Sequence, residues 1–114
     1  MFYDCDKLKF IPVDNWDVSN CKNFVNMFGD CDSLERVNVS KWDMSNATNT
    51  TSMFGSCPNL KELDVSKWDT HNLQDTAAMF YDCRKLTSIP VDNWDVSNCR
   101  YFTNMFCDCS SLES

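Results

Sequence analysis

The chain repeats itself every 26 residues. Met-Phe recurs at Met1-Phe2, Met27-Phe28, Met53-Phe54, Met79-Phe80 and Met105-Phe106. A cysteine follows at Cys5, Cys31, Cys57, Cys83 and Cys109, and a leucine three residues later at Leu8, Leu34, Leu60, Leu86 and Leu112. Trp16, Trp42, Trp68 and Trp94 each precede an aspartate. Units 1–26, 27–52, 53–78 and 79–104, with a partial unit 105–114, fill one domain of 114 residues. A period of this length confines the chain to architectures in which each unit buries its apolar side against its neighbours. Such arrays are mostly surfaces for binding or building, and chemistry needs its own evidence.

With 43% hydrophobic and 13% aromatic residues the chain can fill a core. The net charge of -7 and the lack of any basic run set nucleic-acid binding aside. No stretch approaches the ~20 apolar residues of a membrane span, and no basic leader with an apolar run opens the sequence.

Within the second unit, apolar residues fall every three or four positions from Met27 to Val37, then every second position to Val39. The first spacing fits a helix or tight turns and the second a strand. Val37 and Val39 are expected to face inward with Asn38 outward, as are Ile11 and Val13, Leu63 and Val65, and Ile89 and Val91. Pro12 and Pro90 in the outward slot keep the strands very short. After the strand, Asp43, Ser45 and Asn46 are residue types that cap helix starts. A helix is expected from near Ser45 toward Phe54, and its equivalents carry the stripes Cys21, Phe24, Met27, Phe28 and Cys99, Phe102, Met105, Phe106. Gly29 and Gly55 are positioned to end it with a left-handed residue. Thr50 and Thr76 make the stripe polar in the second and third units, where looser packing is expected.

The run Cys-x-x-Leu-x-x-Leu-x-Val-Ser-x-Trp-Asp-x-x-Asn, from Cys57 to Asn72, closes with Ala78-Met79-Phe80. It resembles the BspA-like leucine-rich-repeat surface proteins, whose copies also occur in mycoplasma lipoproteins, and the resemblance covers all five units. It implies a solenoid on secreted or surface-anchored proteins, associated with adhesion and partner binding, and no catalytic residues. Together with the periodicity it gives the expected fold: an α/β repeat solenoid, a leucine-rich-repeat-like right-handed coil. Each unit would hold one short parallel strand and one short helix, with no capping repeats.

A longer period lies over the short one. Units one and four agree at 20 of 26 positions, units one and two at 12. Duplication of a three-unit block accounts for this, as does a long array whose surface returns every third rung. Without atypical terminal units, each end would expose an apolar cross-section. Either the chain is a segment of a longer array, or copies stack head to tail into a filament.

Several columns of residues bear on chemistry. The cysteines Cys5, Cys31, Cys57, Cys83 and Cys109 read as small buried hydrophobes. The alternative is one or two disulfides, with Cys107, which breaks the repeat, as the best candidate. No C-x-x-C supports zinc. Asp17, Asp43, Asp69 and Asp95 suit helix capping more than calcium, and Asn20, Asn46, Asn72 and Asn98 suit backbone support. Asn38, Asn46 and Asn49 open N-x-Ser/Thr sequons and are candidate glycosylation sites, with Asn46 tied up in structure. His71 is the only histidine, and no catalytic set or phosphate-binding loop can be assembled around it.

The sequence thus points to a non-enzymatic, cofactor-free repeat scaffold, extracellular or on a cell surface. Its partner would be a protein or glycan held on the outward strand face, at Phe10, Asp14, Arg36, Asn38, Glu62, Asp64 and Asp92, or further copies of the chain end to end. The expected core ladder comprises the five cysteines with Leu8, Leu34, Leu60, Leu86, Trp16, Trp42, Trp68 and Trp94.

Overall fold

The 26-residue period reappears as hydrogen bonding between units. In the computed structural model, which describes residue 3 and residues 7–112, successive units lie one on another. Parallel bridges join Asn23 to Asn49, Asn49 to Asp75 and Asp75 to Tyr101, and a second line joins Arg36 to Glu62. That second line continues as the sheet of β1 (Phe10–Ile11) and β2 (Arg36–Val37), which pair in parallel with Phe10 opposite Arg36 and Ile11 opposite Val37.

The expected α/β leucine-rich-repeat solenoid is not what forms. Among the described residues there is no helix, and the two strands are two residues long each. The body is compact, with principal extents of 32 × 29 × 20 Å.

The reason lies in where the backbone donors go. In the stretch expected to be helical, the N–H groups of Phe24, Asn26, Phe28 and Asp30 donate to the carbonyls of Asn49, Thr51, Met53 and Gly55 in the next unit, at 2.8–3.1 Å. The N–H groups of Met27 and Gly29 turn back three residues, to Phe24 and Asn26. An α-helix needs every donor to reach four residues back, and here alternate donors leave the unit. The same alternation recurs in later units, for example at Thr50, Ser52, Phe54 and Ser56.

Left-handed residues enforce it. Asn26, Asp30, Ser52, Ser56, Ala78, Asp82, Asn104 and Asp108 have φ between 54 and 60°, two in each of the second, third and fourth units, and each interrupts a right-handed helix. Asn and Asp tolerate this region best; Ser52, Ser56 and Ala78 accept it under the pull of the inter-unit bonds. The glycines were expected to supply the left-handed residue, yet no glycine has positive φ. Gly29 and Gly55 instead answer to crowding: an added Cβ would lie 3.1 Å from a Tyr3 ring carbon or from the Ala78 carbonyl oxygen, respectively.

Polar side chains expected to cap helices close turns. Asp17, Asp43 and Asp95 accept the backbone N–H of Ser19, Ser45 and Ser97 at 3.0 Å, two residues on. Asx turns use the same residue types as helix caps, so local composition could not separate the two. Asn46, Asn72 and Asn98 donate from Nδ2 to carbonyls of the preceding unit, Ser19, Ser45 and His71, each at 2.7 Å.

The core is a set of columns. Phe28, Phe54, Phe80 and Phe106 stack with ring centroids 5.3–5.9 Å apart. Trp42, Trp68 and Trp94 are buried, and each donates its indole N–H at 2.9 Å to a carbonyl of the previous unit, Val13, Val39 and Val65. Leu34, Leu60 and Leu86 are buried, as are Cys31, Cys57 and Cys83, while Cys109 and Leu112 are half-buried. Thr50 and Thr76 are fully buried rather than loosely packed. Their hydroxyls donate onward, Thr50 to Met79 Sδ at 3.2 Å and Thr76 to the Tyr101 carbonyl at 3.2 Å. Two expected ladder members are not interior: Leu8 is 45% and Trp16 40% exposed. Both belong to the first unit, which has a stacked neighbour on one side only among the described residues. Cys5 lies outside the described residues.

Leu60 has units packed on both sides, so Leu60→Ala should cost about 2–5 kcal/mol in denaturant unfolding. Ala78→Gly should act oppositely. It relieves about 1–2 kcal/mol of left-handed strain against about 0.5–1 kcal/mol of lost chain stiffness, so the unfolding midpoint should rise, whereas Ala78→Val should lower it. His71 stands where other units have serine, with Nδ1 2.6 Å from Asp69 Oδ1. The hydrogen bond to Asp69, then its charge, raises the imidazole pKa above 6.5. A folded pKa raised above the unfolded value stabilises fully below pH 6.5 and fades as pH rises through the folded value. A proton NMR titration should give a midpoint above 6.5 that returns to the ordinary range in Asp69→Asn.

Candidate binding recess

A two-residue alternation in each unit sends one side chain inward and the next outward. Because Phe10, Arg36 and Glu62 are bridge partners, their outward side chains form one column. Asn38 and Asp64 form the next, two residues along. These columns border a recess of about 400 Å³, lined by Phe10, Arg36, Val37, Asn38, Glu62, Leu63 and Asp64. The volume lies within the range of small-ligand or side-chain pockets. Of the seven residues expected on the partner-binding face, five meet here. Asp14 and Asp92 do not line the recess.

The chemistry of the recess is uneven. The Arg36 guanidinium carbon sits 5.6 Å from the centre of the Phe10 ring, a cation–π distance. Arg36 forms no ion pair with Glu62, its other bridge partner, among the described residues. The ion pairs found among the described residues are Lys61–Glu35, His71–Asp69 and Arg84–Asp82, so Glu62 has no ionic partner there. Asp64 is held firmly: Oδ1 accepts the Ser66 hydroxyl at 2.6 Å and its N–H at 3.0 Å. Those bonds, the hydroxyl first, hold its carboxyl below the usual carboxylate range. Asn38 is fixed the same way, its Oδ1 accepting from Ser40 Oγ at 2.7 Å and Ser40 N at 3.1 Å. Val37 and Leu63 also border the recess, but both are buried and belong to the core.

Val37 and Leu63 were read from the sequence as core residues, and the structure buries both. The Arg36–Phe10 contact carries a signal in the sequence, since the two occupy the same position in adjacent units. Its geometry needed the tertiary structure.

The remaining columns offer little reactivity. Among the described residues Cys21, Cys57, Cys83, Cys99, Cys107 and Cys109 are free thiols, so Cys107 forms no disulfide. Cys57, Cys83 and Cys109 donate from Sγ to the carbonyls of Phe28, Phe54 and Phe80 at 2.9–3.2 Å. Burial pushes the Cys57 thiol up to about 12 and raises Cys83 as well. A nucleophilic thiolate is therefore disfavoured at both positions. Of the sequon asparagines, Asn38 is exposed, Asn46 is exposed but tied to Ser19, and Asn49 is half-buried with Oδ1 accepting the Thr51 N–H at 2.9 Å. Among the described residues no helix is long and apolar enough to cross a membrane.

No curated protein and no protein of solved structure matches the chain. The family described as "Mycoplasma protein of unknown function, DUF285" matches residues 1–114, the whole sequence, and the chain belongs to that family.

Proposed function

We propose that the chain is a non-enzymatic repeat scaffold of the BspA-like surface-protein type, extracellular or cell-surface, that holds a partner protein or glycan on its outward face. The observation that carries this is the recess between units, where five outward residues converge. The membership of the family, and the resemblance of the Cys57–Asn72 pattern to BspA-like proteins, support a surface role. Rigid backing supports it too. Val37, Leu63 and the neighbouring columns are buried, and short side-chain bonds fix Asn38 and Asp64. Pre-positioned groups bind with less loss of freedom.

The test is direct binding of labelled protein to immobilised extracellular-matrix proteins and to a glycan array. Glu62→Arg and Phe10→Ala, each with an unchanged unfolding midpoint, should weaken the interaction found at least tenfold. A chain that binds nothing, or whose binding survives both substitutions, overturns the proposal.

A further inference from the structure

The outward face is charged asymmetrically. Asp14, Glu62, Asp64 and Asp92 stand against Arg36 alone in the face set, on a chain of net charge -7. Arg36 holds its guanidinium beside the Phe10 ring, 5.6 Å from its centre. Glu62 is left without an ion pair among the described residues, and the Asp64 carboxylate is held ionised by Ser66. Both carboxylates border the same recess of about 400 Å³. A side chain with a cationic tip matches this arrangement, because its head can make charge-assisted hydrogen bonds to both carboxylates.

Resting on the reading of the recess as a binding site, we propose that its ligand is a basic, extended peptide segment whose Lys or Arg side chain enters the recess and pairs with Glu62 and Asp64. Adjacent rungs lie about 4.8 Å apart and alternate residues of an extended chain about 6.8 Å apart, so a peptide crossing the units obliquely presents every second side chain to the face. The acidic field also speeds the encounter with a cationic partner and makes it sensitive to salt.

The repeat itself supplies variants that preserve the fold. Asp64→Asn places in the third unit the residue that the second unit uses at Asn38, where it keeps the same turn with Ser40. Glu62→Ser places there the residue of the fourth unit, Ser88. The probes are capped, fluorescein-labelled ten-residue peptides in which serine alternates with lysine, glutamine or glutamate, followed by fluorescence anisotropy. The lysine peptide should bind at least tenfold more tightly than the glutamine one, the glutamate one should not bind, and added salt should weaken binding. The double variant should lose at least tenfold, and Arg36→Gln should tighten binding by removing a competing cation. Equal or better binding of the glutamine or glutamate peptide, an unaffected double variant, or weaker binding in Arg36→Gln overturns the inference. If no lysine peptide binds while a protein or glycan is still lost in Glu62→Arg, the scaffold reading stands and the basic-peptide assignment falls. If neither occurs, both fall.

Discussion

Everything in this protein depends on backbone hydrogen bonds that pass from one unit to the next. Alternate donors in the Met-Phe segment reach carbonyls about one repeat further along, and elsewhere Glu35, Lys61, Thr48, Gln74 and Arg100 donate one unit back. Buried backbone groups must be paired. With few strands and no helix among the described residues, the neighbouring unit is the main source of partners. One unit alone would leave those donors unpaired and its Phe and Trp rings exposed, so folding and stacking are one event.

Side chains reinforce the same connection. The indole N–H groups of Trp42, Trp68 and Trp94, the thiols of Cys57, Cys83 and Cys109, and the amides of Asn46, Asn72 and Asn98 all donate to main-chain carbonyls of the preceding unit. Each of these columns therefore does two jobs, filling volume and pairing a carbonyl that irregular backbone would otherwise leave without a donor. This explains why cysteine recurs in a column with no disulfide among the described residues: it is small, apolar, and still a weak donor. Buried thiols with raised pKa values suit that structural duty and not catalysis.

The recess follows from the same geometry. Stacking places Phe10, Arg36 and Glu62 side by side, and the differences among units at this column create a site that a perfectly uniform repeat would lack. Arginine paired with an aromatic ring on one rung, and an unpaired carboxylate on the next, make a surface with direction. Under the proposed scaffold reading, function resides in the outward residues that vary from unit to unit, while the inward ones hold the spacing constant.

The period, the inward residues and the outward face were legible in the sequence because they follow from side-chain spacing alone. Ile11, Val13, Val37, Val39, Leu63 and Val65 are buried where alternation put them, and Asn38 faces out. The helix was misread because Asp, Ser and Asn serve helix caps and Asx turns alike, and because spacing of three or four residues describes successive turns as well as a helix. What decided between them was the competition for backbone donors, which only the stacked neighbour could win, together with left-handed residues such as Ala78 that no propensity announces. The exposure of Leu8 and Trp16 was likewise a tertiary matter, since burial in a column belongs to the pair of units around a side chain and not to the side chain itself.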